Sequence, residues 1–275
     1  MQVKFGCEFA YQATMATPIV MLVRPRDKEL RHTLLQENRQ VTPPIEIHEF
    51  KDHFGNNLWR FTVPQGGVHI YYDAIAEVEP TPDPSHGHLG GVLVQNMPDD
   101  VLEFLLPSRH CLSDKVISEA WDLFGSTTPG WPRVQAVCDW IHTNITYGKG
   151  SNSSTTGYDA YQARRGVCRD FAHISVMLCR ALSIPARYVC GYLPEINVIP
   201  DPTPMDFHAW FEVYIGGEWH TFDARHNIPR TGRVLIGRGR DAVDVALTTS
   251  YGNAQLETFN VWADEHLPAN TKVVG

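Results

Sequence analysis

Apolar residues over the first eighty positions come in short, partly alternating runs. "VKFGCEFAYQA" and "PIVMLVRP" are the first two, and "IEIHEFKDHFGNNLWRFTVPQGGVHIYYDAIAEVEP" contains several more. Such alternation marks strands with one buried face. Turn formers separate the runs: "ATMAT" after the first, then Asp52 to Gly55 with Asn56 and Asn57, then Gly66-Gly67. The stretch 24–40 is polar and reads as a long link. Several short strands at this spacing predict a small all-β, sandwich-like domain over 1–80. "EPTPDPSHGHLGG" breaks the pattern with proline and glycine, which places a linker at 81–92. His86 and His88 form an H-x-H pair in it, and in a loop the pair reads as solvated rather than as a metal site.

The period then changes from two to that of a helix. "SDKVISEAWDLFG" starts at Ser113 and stops at Gly125. "PRVQAVCDWIHTNITYG" puts Val134, Val137, Cys138, Ile141 and Ile145 on one stripe, with Pro132 near its start and Gly148 past its end. A polar loop, "GKGSNSSTTG", precedes a short helical stretch, "YDAYQARR". A longer apolar helix follows in "RRGVCRDFAHISVMLCRAL" and stops before Pro185. "ARYVCGYLP", "HAWFEVYI" and "EWHTFDAR" read as strands, the last two joined through Gly216-Gly217 as a tight hairpin. Helices followed by an antiparallel sheet make the second unit, 93–275, α+β.

Composition changes this picture little. Charged residues are 20% and hydrophobic residues 43% of 275, ordinary for a globular chain. A formal net charge of −8 argues against bulk attraction to nucleic acid or an anionic membrane surface. No apolar run approaches the roughly 18 residues of a spanning helix. "MQVKFGCEFAYQATMATPIVMLV" has no basic start, continuous apolar core or small-residue cleavage site. It reads as strand, so the expectation is no signal peptide and a cytoplasmic location. Thiols stay reduced there, and six free cysteines are expected. No C-x-x-C pair suggests a zinc or thiol-redox site.

Cys168 follows Gly166 and opens the long helical run. A thiol attacks acyl carbon only as its thiolate, which a helix N-terminus, a nearby imidazolium and partial exposure all favour. Backbone N–H groups of a first helical turn can also hold an oxyanion. Spacing alone leaves a second reading open: cysteine is a common core residue, and Cys179, eleven residues on, lies on nearly the same helix face. The partner base is sought among 13 histidines. His173 sits roughly 140° around the helix from Cys168. His208 opens "HAWFEVYI" just after the proline-rich "PDPTPMDF", while His220 and His226 compete with it. A hairpin about Gly216-Gly217 brings the far end of that strand opposite 223–225. Asp223 then lies beside His208, where a carboxylate orients an imidazole and stabilises its charged form.

"RRGVCRDFAHISVMLCRALSIPARYVCGY", "FHAWFEVYIGGEWHTFDAR" and "GRVLIGRGRDAVDVA" together resemble the transglutaminase-like superfamily, in its bacterial branch with an N-terminal β domain. The resemblance implies a papain-like core, helices packed on an antiparallel sheet, preceded by the sandwich-like unit. It implies that Cys168 is the nucleophile, His208 the general base and acid, and Asp223 the orienting carboxylate. The backbone N–H of Cys168 is the first oxyanion donor, with Gln162, Tyr147 or Tyr158 as side-chain candidates. Arg169 and Asp170 read as helix-end charges. Arg238, Arg240, Asp241 and Asp244 read as an ion network bracing the site wall, with a cradle for a substrate carboxylate as the other reading. The activity implied is acyl transfer from amide bonds of a peptide or protein substrate through a thioester. Water as acceptor makes it a cysteine peptidase or amidase, and an amine makes it a transglutaminase. No metal or organic cofactor is called for, and no EF-hand loop is present. A binding module that makes no use of the triad is the non-enzymatic alternative.

Overall fold

β1 (Gln2–Ala13) buries Val3, Phe5, Cys7, Phe9 and Tyr11 on one face, as a strand packed on a core must. The computed structural model describes residues 1–267. After β1 come β2 (Thr17–Met21), β3 (Lys28–Glu29), β4 (His32–Thr42), β5 (His48–Lys51), β6 (Asn57–Val63) and β7 (Val68–Val78). The helical part holds α1 (Ile117–Phe124), α2 (Trp131–Asn144), β8 (Thr146–Tyr147), α3 (Gly157–Ala163), β9 (Arg165–Gly166) and α4 (Cys168–Ala181). β10 (Ala186–Tyr192), β11 (His208–Ile215), β12 (Glu218–Phe222) and β13 (Val234–Gly239) follow, then β14 (Thr248–Ser250) and β15 (Ala254–His266). No helix among the described residues is long and apolar enough to cross a membrane.

The β unit is two antiparallel sheets, ordered β15-β1-β7-β4-β3 and β14-β2-β6-β5. Two expectations are corrected here. The polar stretch 24–40 is largely β4, paired with β7 along its length. Seven of its eleven residues are exposed, so no apolar alternation betrays it. Nor is 93–275 one unit. β15 pairs with β1 from Gln2 opposite His266 to Ala13 opposite Ala254, and β14 pairs with β2. The chain returns to finish the β unit, because without β15 the apolar strand β1 would be an open edge. The last residues of that expected range, 268–275, lie outside the described residues.

The third sheet runs β12-β11-β10-β13, all antiparallel. Helices pack on one side of it, through a core that includes Val134, Val137, Ile141, Ile174, Leu178 and Phe211. The β unit's core reaches the same sheet from elsewhere, joining Phe5 and Trp59 to Tyr192, Phe207 and Ile236. Polar clamps fix the contact. Tyr192 donates its hydroxyl to the Val23 carbonyl at 3.0 Å, and Asn56 exchanges two hydrogen bonds with the backbone of Arg238. Among these elements α4 is buried nearly all round, the pattern of a central helix. Its first residue is Cys168.

Candidate active site

Two local devices hold the start of α4. The Asp170 carboxylate accepts the Val167 N–H at 2.8 Å, filling one of the donors that a helix start leaves open. A Cβ at residue 166 would come within 2.5 Å of the Asp170 side chain, so only glycine allows this cap. Arg169 supports Asp170 at 3.4 Å and anchors to Ser151 and Asn152, a helix-end role. Cys168 is left half-buried in the first turn.

His208 opens β11 and reaches this helix end. The hairpin is a two-residue turn with Gly216 and Gly217 both at positive φ, flanked by Ile215 opposite Glu218. From Phe211 opposite Phe222, the register carries His208 across from the turn that begins at Asp223. His208 Nε2 donates to Asp223 Oδ2 at 2.8 Å. The other ring nitrogen is left for the Cys168 sulfur, which lies close enough to help raise this imidazole's pKa. Cys168 Sγ lies 3.9 Å from the Phe207 carbonyl.

Asp223 is saturated with donors. Its Oδ1 accepts the N–H groups of Arg225 and His226 at 3.1 and 3.3 Å, and its Oδ2 accepts both His208 and Arg233 Nη2, the latter at 3.0 Å. Burial alone would favour the neutral acid. The charges and hydrogen bonds of His208 and Arg233 outweigh it and hold the carboxyl well below its ordinary range. Burial likewise pushes His208 toward neutrality, but the Asp223 carboxylate and the Cys168 sulfur raise its pKa above the ordinary 6.5. The two shifts act on stability in opposite directions with pH. The Asp223 contribution is present above its unfolded pKa and lost as pH falls through the depressed one. The His208 contribution is full below 6.5 and lost as pH rises through the raised value.

Sequence reasoning did not find Arg233. It lies between Asp223 and Asp83, whose Oδ2 accepts Arg233 Nε at 2.8 Å. Asp83 belongs to the proline-rich connection between the units, so that connection is tied to the site. Arg233→Met leaves the buried Asp223 and the half-buried Asp83 without their shared cation. The expected loss is about 3–5 kcal/mol of stability, read as a lower urea midpoint at pH 7.

The structure separates the three side-chain oxyanion candidates. Tyr147 lines the same cleft as Cys168, its ring 4.0 Å beneath the Arg225 guanidinium. Gln162 is exposed on α3, the helix that Arg164 ends in a left-handed conformation at φ 52°. Tyr158 is occupied under the Lys115 ammonium and packs on the helical core. Neither Gln162 nor Tyr158 lines a cavity that holds Cys168, and both are corrected as donors on that ground. His173 is buried deep in α4, where its Nε2 accepts the Ala242 N–H at 3.1 Å. His220 packs edge-on against His86 and Trp131, away from Cys168. His226 does reach the site, 4.9 Å from His208 between ring centres, but burial and the charges of His208 and Arg225 push it down to about 3. The tail residues brace the wall as an ion network. Arg240 pairs with Asp244, Asp241 accepts the His110 N–H, and Arg238 pairs with Glu29.

His208, Asp223 and His226 offer three atoms within 4.8 Å of one another, a spacing a metal ion could use. The Asp223 oxygens are already filled by four donors, and Arg233 brings a fixed positive charge. Both features oppose a cation there.

Comparison with known proteins bears on this geometry. The model of the transglutaminase-like superfamily matches residues 122–224, the span that contains Cys168, His208 and Asp223. A crystal structure from Cytophaga hutchinsonii, described as a candidate cysteine protease, shares 38% identity and superposes with a TM-score of 0.87 over 96% of this chain and 90% of that one. An uncharacterised protein of Mycobacterium leprae is 26% identical over 224 residues, 78% of this chain and 80% of its own length. One of Mycobacterium tuberculosis is 29% identical over 272 residues, covering 87% and 83%.

Proposed function

Because this chain belongs to the transglutaminase-like superfamily, we propose that it is a cysteine-dependent acyl-transfer enzyme acting on amide bonds of peptides or proteins, with water as acceptor. The observation that carries this reading is the Cys168 sulfur at a helix start, in the same cleft as an imidazole that Asp223 holds. His208 takes the thiol proton, and the thiolate attacks the amide carbon. The Cys168 N–H, with no intrahelical acceptor in a first turn, receives the developing oxyanion. Tyr147, which lines the same cavity, is the side chain we assign as second donor. Collapse breaks the C–N bond as His208 protonates the departing amine, leaving a thioester on Cys168. His208 then draws a proton from water, which releases the acid. Asp223, held anionic, keeps the imidazole in one tautomer and favours its charged form.

Water as acceptor is supported by access: Cys168 is half-buried where two cavities meet. An amine in the same role would make the reaction a cross-link. Incubation with a defined peptide mixture, with and without a dansylated primary amine, separates the two by mass spectrometry. Products bearing water support hydrolysis, and amine adducts alone transfer the reading to the transglutaminase alternative. No product, with an inert Cys168, leaves only the binding module.

The raised His208 pKa gives a pH prediction. Amide turnover requires the imidazolium as acid, so it falls on the alkaline side through a pKa above 6.5. Alkylation of Cys168 does not fall there, because the thiolate persists. Rate profiles of both reactions on one preparation check this.

A further inference from the structure

Cys168 and His208 lie where two cavities join, one of about 1100 Å³ and one of about 530 Å³. The smaller is lined by Ala242, Val245 and Leu247, and its arginine, Arg169, is engaged by Ser151, Asn152 and Asp170. In the larger, most charges are matched. Asp201 pairs with Arg225 at 3.3 Å, and Glu195 accepts the Asp201 N–H at 2.8 Å. Asp206 accepts the Phe207 N–H, and burial raises its carboxyl toward the neutral form.

Arg230 is the exception. It lines the larger cavity with its side chain almost wholly buried, at 4% exposure for the residue. Among the described residues it forms no ion pair. Its Nη2 donates to the Pro194 carbonyl at 3.0 Å, and its Nε is buried without any partner. A guanidinium has five N–H donors, so most of its capacity is unused. Three residues on, Arg233 shows the ordinary solution for a buried cation, with a carboxylate on either side. Burial and that same Arg233 weaken Arg230's hold on its proton, and the attraction of the Asp223 and Glu195 carboxylates, neither of them paired with it, does not make up the difference. A desolvated cation without a counter-ion is costly, and a carboxylate fits the guanidinium fork.

Resting on the acyl-transfer reading above, we propose that Arg230 receives a free carboxylate of the substrate, a few bonds from the amide that Cys168 attacks. The substrate class is thus an acidic peptide, recognised through either a chain-end carboxylate or an Asp or Glu side chain. Apolar walls from Leu193, Met205, Phe207 and Ile228 take the rest of the molecule.

Three near-isosteric labels test this: bromoacetyl-Gln-NH2, which is neutral, bromoacetyl-Gln-OH, with a chain-end carboxylate, and bromoacetyl-Glu-NH2, with a side-chain carboxylate. Each alkylates a thiol through the same bromoacetyl carbon, with bromide leaving. Labelling of Cys168 is followed by peptide mass spectrometry at pH 7 and low salt. The expected result is that one acid outpaces the diamide by roughly tenfold or more, and which acid does so identifies the source of the carboxylate. Arg230→Met brings that ratio to about one, and Arg230→Lys keeps part of it, because the charge remains and the fork is lost. The wild-type comparison stands even if a variant does not fold. Labelled Cys168 with no preference for either acid overturns this inference alone, as does a preference that survives Arg230→Met. A Cys168 that none of the three labels overturns the acyl-transfer reading, and this inference with it.

Discussion

Cys168→Ala abolishes amide turnover while the chain stays folded. The sulfur is the only atom of the site that can form the thioester, and no other cysteine can replace it. Cys7, Cys111, Cys138, Cys179 and Cys190 are buried, and burial pushes each thiol above its ordinary range. Loss of a covalent nucleophile costs on the order of 10⁴–10⁶ in turnover, down to what binding and the oxyanion site provide. Stability is a separate matter. Cys168 is half-buried, the hydrogen bond of its sulfur among the described residues is a weak contact to the Phe207 carbonyl, and alanine is a strong helix former. Initial rates and a thermal melt on the same sample check both halves. A variant with more than a few per cent of wild-type turnover contradicts the thioester mechanism.

His208→Ala is expected to cost nearly as much, about 10³–10⁴-fold, because one imidazole acts as base for the thiol and acid for the departing amine. The variant should fold. Asp223 keeps Arg233 and two backbone N–H groups when the imidazole is removed, so no buried carboxylate is orphaned. Asp223→Asn should lose less, since an amide can still orient the ring though it cannot favour its charge. The ranking of the two variants is as informative as their size. Equal losses would mean that Asp223 does more than orient and stabilise the imidazole.

The site was legible where local rules decide it. Gly166 before Cys168, an apolar helix after it and a Gly-Gly hairpin between His208 and Asp223 are all short-range features, and each maps directly onto geometry. Family resemblance then supplied the roles. Contacts made over long stretches of chain were not legible. Asp83 is 150 residues from Arg233, in a segment with no periodicity, and no local pattern announces the pair. β15 looked like the end of the second unit because its partner, β1, lies at the opposite end of the sequence. Gln162 was suggested by the papain-like resemblance, and nothing local in the sequence shows that it faces solvent on α3. Arg230 carries no sequence signal at all, since its distinction is the counter-charge it lacks once folded.

The central claim is that Cys168 and His208 act as a coupled pair. The direct test is the iodoacetamide alkylation rate of every cysteine from pH 4 to 10, resolved by peptide mass spectrometry, in the wild type and in His208→Ala. The account predicts that Cys168 alone reacts fast, already on the acid side of neutrality where a free thiol reacts slowly, and that His208→Ala removes that advantage. A Cys168 that reacts no faster than the buried Cys7 and Cys111, or one indifferent to His208→Ala, would contradict it.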